Sequence, residues 1–488
     1  MQGGILKIEK GPVLTRRALL GGLAAGAVFS GAPTKRPNLV YVFPDQWRAQ
    51  ALGFMGQDPV LTPALDTFSR QSAVFTHAIS NAPVCSPYRA MLMTGRYPLS
   101  NGVVRNCTTV NDVPSADLRA SDTCFPDVLR KCGYSTGYIG KWHLDSPHRP
   151  YVDTSNNRGP VKWNEWTPPE RRHGFEFWHA YGTYDQHNAP QYWDTGAPRE
   201  RRTTAPKWGP EYETDLALSY LKNEGGRFRR SDRPFALFLA HNPPHTEYRL
   251  VPPRYRDQYA GETWRDLANR PNFDGAADTE VMRASKADLP YYFAQITGVD
   301  DQFGRLLRGI EEAGLADDTI VVFTSDHGNC IGSHNEITKN NPYDEALRVP
   351  FLIRWPRVIP SRRDDLLLSV PDIMPTLLSL MGAKAEIPPG VEGTDYSVLF
   401  RGESHMRPTS ALYFQIDRKE RGVRTARYTL ALTGRGEPPR ALLFDNQEDP
   451  FQLRNLAESR PELLRQLLHE ELEPWLRRTR DPWRPATT

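Results

Sequence analysis

With 488 residues, 39% hydrophobic and 24% charged, and a formal net charge of +3, the chain is too long for one small core and too weakly basic for nucleic acid to be its main partner. Its 43 prolines and 36 glycines punctuate long apolar runs, which describes ordered loops in a globular protein rather than a disordered chain. Five scattered cysteines, at 85, 107, 124, 132 and 330, with no C-x-x-C, argue against a disulfide framework and against a thiolate zinc site.

Lys7, Lys10, Arg16 and Arg17 precede an apolar stretch, Ala18 to Phe29, that is too short to span a bilayer. Residues 1–32 therefore read as an export signal. Thr15-Arg16-Arg17 followed by Ala18-Leu19-Leu20 resembles a twin-arginine signal, which implies a periplasmic or extracellular destination and no stable membrane insertion.

Pro37 to Phe43, PNLVYVF, is the kind of apolar run that forms a buried strand, and it delivers Asp45 and Gln46 at its carboxyl end. Helical spacing follows over Thr62 to Ala73 and later over Cys124 to Lys131. The strand pattern recurs three times: Tyr134 to Ile139 leads to Lys141 and His143, Phe235 to Leu239 to His241 and His245, and Thr319 to Phe323 to Asp326 and His327. Ligands of open α/β sheets bind beyond the carboxyl ends of the strands, so these ends point to one shared site. Between them, Trp142 to Trp208 loses periodicity while holding six of the eleven tryptophans; it reads as a long covering loop used in substrate selection. Gln302 to Ala313 is the clearest helix, Pro350 to Trp355 another strand, and Asp372 to Met381 a helix closing a layered α/β domain over 36–387. Residues 396–488, with strand-like Ala411 to Phe414 and Tyr428 to Leu432 and an amphipathic helix near Glu462 to Trp475, read as a small antiparallel sheet with a packed helix.

The stretch around which these elements gather is Asn81 to Tyr97, NAPVCSPYRAMLMTGRY. Ser86 suits an N-cap, Pro87 the first helical position and Gly95 a stop, placing Cys85 just ahead of a helix, where unpaired N–H groups and the positive dipole end favour an anion. Cys85-Ser86-Pro87-Tyr88-Arg89 fits C-x-P-x-R and, with Thr94-Gly95-Arg96, resembles the signature of the type I sulfatases. Gly140-Lys141-Trp142-His143, Asn242 to His245, Lys339 ahead of the segment ending Arg348-Val349-Pro350, and Leu443 to Pro450 with Asn455-Leu456-Ala457 resemble further segments of that family, in its order.

The resemblance implies an alkaline-phosphatase-like fold, a large mixed sheet flanked by helices with a smaller C-terminal α+β subdomain, and hydrolysis of sulfate monoesters of a carbohydrate or an aryl alcohol. It further implies that Cys85 is oxidised to formylglycine by a formylglycine-generating enzyme. Asp45, Gln46 and Asp326 can supply oxygen ligands to a divalent cation, with His327 completing the set; the family assigns these positions to Ca2+, shared with residue 85, and the histidine makes Mn2+ the alternative. Arg89 would stabilise the modified residue, Lys141 and Lys339 would hold sulfate oxygens, His143 would be the base, and His245, with His241 as the weaker choice, would protonate the leaving oxygen. His334 is a further group within possible reach of substrate. Gln46 and His327 stand where many sulfatases carry Asp and Asn, which leaves a phosphonate monoester or phosphodiester hydrolase as one alternative and an unmodified sulfated-glycan binder as another. A cysteine hydrolase pairing Cys85 with His143 lacks an orienting third group.

Overall fold

The computed structural model describes residues 36–486; the export signal read over 1–32 lies outside them. The apolar run at the start forms β1 (Asn38–Val42), fully buried, and its alternation sends Leu39 and Tyr41 into one core and Val40 and Val42 into another. A strand buried on both faces requires cover on both sides, and the sheet it belongs to has that cover. In chain order its other principal strands are β2 (Ala73–Ile79), β3 (Ser135–Lys141), β4 (Phe177–Tyr181), β5 (Gln191–Asp194), β6 (Phe235–Ala240), β7 (Thr319–Thr324), β8 (Phe351–Arg354) and β9 (Arg362–Ser369). The 11-stranded sheet runs β2-β8-β7-β1-β6-β3-β4-β5 through its middle, with two-residue strands at both ends and β9 paired to β2. β7, β1, β6, β3 and β4 are parallel neighbours, whereas β8 and β5 are antiparallel to theirs. The expected mixed α/β sheet is therefore present, and four of its central strands open at one edge.

One face packs on the helix Glu280–Glu312, whose Leu289, Tyr292, Phe293, Ile296, Val299, Phe303, Leu306 and Ile310 are buried. This helix is far longer than the expected 302–313: Thr279 caps it, accepting from Met282 N, and it continues through Pro290. Proline ordinarily ends a helix; here the apolar stripe continues on both sides of it and tertiary packing prevails. The helix expected over 62–73 is also corrected. It is Pro63–Ser69, and the β-rich Ala73-Val74-Phe75 that follows turns into β2.

The other face carries the helix Cys85–Thr94, all ten residues of which are buried. Beyond it lies a four-stranded antiparallel sheet (Ser410–Gln415, Glu420–Thr425, Tyr428–Thr433, Ala441–Asp445), whose Leu412, Leu430 and Leu443 join the same core. Asn81, four residues before Cys85, ties the two sheets: its Nδ2 donates to Leu412 O at 2.8 Å and its backbone oxygen accepts from Phe414 N at 2.8 Å. The expected C-terminal helix is interrupted, Pro461–Leu467 and Glu473–Arg478 flanking a π-turn.

One further expectation fails. The segment from Trp142 to Trp208 is not all loop, since it contributes β4 and β5 to the main sheet; their short, aromatic-rich sequences with charged neighbours carry no clear alternation. Cys107, Cys124, Cys132 and Cys330 are free thiols.

Gly140, at the end of β3, shows how closely the strand ends are fitted. Its φ is 102°, and a Cβ there would lie 2.2 Å from the carbonyl oxygen of Ala240. Gly140→Ala is expected to cost about 2–4 kcal/mol, from a left-handed alanine plus overpacking against backbone. Urea denaturation measures this; an unchanged midpoint would contradict the packing described.

Candidate active site

Cys85 is the first residue of its helix, with Val84 as the N-cap, so the expected capping by Ser86 is corrected. Ser86 Oγ instead donates to the backbone oxygen of His143 at 2.6 Å and accepts from Cys107 N at 3.0 Å. This hydroxyl thus holds the 143 loop against the helix rather than closing the helix end. Gly95 ends the helix as expected, in the left-handed conformation with φ 64°.

The ends of β1, β3 and β7, joined by Lys339, bring side chains to Cys85. Its sulfur lies 3.3 Å from His327 Nε2, 3.4 Å from Lys339 Nζ, 3.6 Å from Asp45 Oδ1 and 3.7 Å from Lys141 Nζ. Burial and Asp45 oppose ionisation of the thiol, but Lys141, Lys339 and His327 outweigh them and hold it well below a thiol's ordinary range. Lys141 Nζ also sits 2.7 Å from Asp45 Oδ2, and Lys339 Nζ donates to Gln46 Oε1 at 2.9 Å. Arg89 reaches from the helix to bridge Asp45 Oδ2 at 3.1 Å and Asp326 Oδ2 at 3.0 Å, all three side chains at most 1% exposed.

Asp45, Cys85, Asp326 and His327 present ligand atoms that all lie within 4.8 Å of one another. His327 Nδ1 faces the carbonyl oxygen of Gly328 at 2.9 Å, and Nε2 lies 3.4 Å from Asp45 and 3.5 Å from Asp326. Against burial, chiefly Asp326 raises the ring's pKa to about 9, so Nε2 carries a proton here, and a bound cation would displace that proton and take the lone pair. Burial and neighbouring Asp45 push Asp326 up to about 6, against His327 and Arg89. Two carboxylates crowded in a dry pocket with an amide oxygen and an imidazole lone pair fit a divalent cation, whose charge would relieve that crowding. Gln46 takes part with φ 70°, its Nε2 anchored on Tyr248 OH at 2.7 Å so that Oε1 is presented to the site.

His143, also in the left-handed region at φ 53°, is buried with both ring nitrogens lacking a hydrogen-bond partner. Burial lowers its pKa to about 4, with Cys85 acting in the opposite sense, so the ring is a neutral base. Trp163, from the segment expected to select substrate, has its ring centroid 6.2 Å from that of His143. His245 follows β6 and is drawn into the same field, Asp45 and Asp185 among its charged neighbours.

Two residues considered in the sequence lie elsewhere. His241 Nδ1 pairs with Glu213 Oε2 at 2.5 Å, buried behind the sheet end. His334 stacks on Tyr343 with centroids 3.6 Å apart and faces Glu345 at 3.4 Å. Reading the motifs missed Asn242, whose Oδ1 accepts from Lys141 Nζ at 3.1 Å, and Tyr248, the anchor of Gln46. Asn242 stands within a segment already singled out, so its polar side chain right after a buried strand was the available signal.

Comparisons with known proteins find relatives over most of the chain. A family model described as Sulfatase matches residues 37–383, and one described as N-sulphoglucosamine sulphohydrolase, C-terminal, matches residues 332–478. An endo-4-O-sulfatase of Bacteroides thetaiotaomicron is 40% identical, the match covering 92% of this chain and 93% of that protein. A ulvan-active sulfatase of Formosa agariphila is 34% identical over 90% of this chain and 80% of its own length. A solved sulfatase structure from Bacteroides fragilis superposes with a TM-score of 0.86 at 42% identity, covering 92% of this chain and 97% of that one. A cysteine at a helix start amid buried lysines and carboxylates, on this sheet and with these relatives, makes the chain a member of the sulfatase family with the alkaline-phosphatase-like fold, an enzyme that hydrolyses sulfuric esters.

Proposed function

We propose that the enzyme removes sulfate from a sulfated carbohydrate, using formylglycine made from Cys85 and a divalent cation, Ca2+ in first place and Mn2+ as the alternative. The observation that carries this reading is the contact of Cys85 with Lys141, Lys339, Asp45 and His327 in one buried cluster. Such an arrangement suits a doubly negative group on one side and a cation on the other. The carbohydrate assignment is supported by the relatives named for endo-4-O and ulvan activity.

Asp45, Gln46, Asp326 and His327 would hold the ion together with residue 85. Bound there, the ion and the hydrated aldehyde would supply a polarised oxygen nucleophile for sulfur. Lys141 and Lys339 bind the sulfuryl oxygens and neutralise the charge that builds on them. Arg89 bridges and aligns the two carboxylates, and its charge opposes the rise in the pKa of Asp326. His245 donates a proton to the departing alcohol oxygen, and His143, neutral and buried beside residue 85, accepts the proton from that residue when sulfate leaves. Maturation requires a formylglycine-generating enzyme. Export by the twin-arginine route, read from residues 1–32, would bring the enzyme to glycans outside the cytoplasm.

The test is mass analysis of the peptide containing residue 85 after co-expression with a formylglycine-generating enzyme, paired with sulfate release from sulfated glycans and phosphate release from matched phosphate esters. An aldehyde at 85 with preference for sulfate is expected. An intact thiol in protein that binds sulfated glycans without cleaving them would make the protein a binder, and preference for phosphate esters would move it to the phosphonate and phosphodiester hydrolases. Calcium is expected to raise the melting temperature of the matured protein and to lose that effect in Asp326→Asn; scanning calorimetry reads both, and an ion-independent melting temperature would sink the metal assignment.

A further inference from the structure

Asp185 ends the aromatic stretch after β4 and carries no role in the mechanism above. Its Oδ1 lies 3.3 Å from His245 Nδ1 and accepts from Asn242 Nδ2 at 3.0 Å, while its Oδ2 accepts from Asn156 Nδ2 at 2.9 Å. Asn242 in turn accepts from Lys141 Nζ, so one chain of polar contacts joins a sulfate-binding lysine to the proton donor. His245 Nδ1 also faces the carbonyl oxygen of Thr246 at 2.9 Å. From the far side, His187 Nε2 lies 3.1 Å and 3.0 Å from the backbone oxygens of His245 and Thr246. Burial keeps His187 neutral, its pKa down to about 4, and two acceptors at Nε2 require the proton to be on that nitrogen.

The Thr246 carbonyl oxygen and Asp185 Oδ1 both accept at His245 Nδ1, with the Thr246 hydroxyl 3.3 Å away as a third partner; with the hydrogen on Nδ1, Nε2 is the nitrogen that exchanges a proton. We propose that Asp185 is a positioning residue for proton delivery: it fixes the imidazole of His245 through Nδ1–H and favours the imidazolium from which Nε2–H is given to the leaving oxygen. In that step the S–O bond breaks with its electron pair going to the alcohol oxygen. The proton moves from Nε2 to that oxygen, and the N–H pair stays on Nε2 as a neutral ring still bonded to Asp185. The groups facing His245 are Lys339, Lys141, Asp45 and Asp185, with neutral His187 behind it. Burial, Lys339 and Lys141 work against the imidazolium, Asp45 and Asp185 in its favour, and the balance leaves the pKa above the ordinary histidine value. Asp185 itself is held ionised against the pull of burial by His245 and Lys141.

The inference rests on His245 being the proton donor, and its test separates the two. Rates on 4-nitrophenyl sulfate and phenyl sulfate are compared for the matured wild type, D185N, H245A and the double variant. A poor leaving group needs the proton most, so D185N is expected to lose about tenfold or more on phenyl sulfate beyond its loss on 4-nitrophenyl sulfate, and to add nothing in the H245A background. NMR titration of the His245 ring, which needs no turnover, is expected to show its pKa falling in D185N. Equal losses on both esters with an unmoved His245 titration would overturn the role of Asp185. H245A losing equally on both esters would overturn the reading of His245 instead, and a wild type inactive on every ester leaves the NMR shift to decide for Asp185 alone.

Discussion

Cys85→Ala in co-expressed, matured protein is expected to lose sulfate release entirely, at least about 10³-fold and down to the background of the assay. The geometry makes the loss specific to residue 85. Lys141, Lys339, Asp45 and His327 all approach its sulfur within 3.7 Å, and the adjacent hydroxyl, Ser86 Oγ, is committed to the His143 backbone oxygen at 2.6 Å. An alanine there would leave the lysines able to bind sulfate with no atom to attack sulfur. Cys85→Ser is expected to be nearly as inactive unless the host oxidises serine. Initial rates on an aryl sulfate, with circular dichroism to confirm folding, measure both; full activity in Cys85→Ala would end this account.

Arg89→Met is expected to destabilise the metal-free protein by about 3–5 kcal/mol and to abolish activity with it. Removing one member of a buried charge cluster leaves the others in a low dielectric without compensation. Arg89 bridges Asp45 and Asp326, as His327 does from the other side at longer range. Without it, Asp45 keeps Lys141 and His327, while Asp326 keeps, among the described residues, His327 and the backbone N–H groups of Gln46 and His327. Methionine preserves much of the volume over the Phe43 ring, which the guanidinium approaches to 5.1 Å, so the loss reports charge rather than a cavity. Urea denaturation without metal measures it. A midpoint equal to wild type would mean that the carboxylates are compensated by other means.

Much of this site was legible in the chain because its parts are local. A buried strand that ends in Asp45-Gln46, Lys141, His245 or Asp326-His327 can be read from a handful of neighbours, and C-x-P-x-R ahead of a glycine stop marks the helix. The failures were equally local in origin. Ser86 has the chemistry of an N-cap, yet a carbonyl 57 residues away takes its hydroxyl. Pro290 has the chemistry of a terminator, yet a continuous apolar stripe carries the helix through it. Asp185 is one more acid in a polar loop until β4 joins β3 and brings it to His245.

The chain's own pattern determined that it would build an α/β sheet with chemical groups at the strand ends, because burial of apolar runs and the stop signals of helices act over a few residues. Tertiary structure decided which ends meet. Strand order, the antiparallel insertion of β8, and the pinning of residue 81 by a sheet more than 320 positions later depend on how two cores pack across the same strands. That packing alone sets Arg89 between two carboxylates, turns Gln46 and His143 into left-handed conformations, and gives His245 its acidic partner.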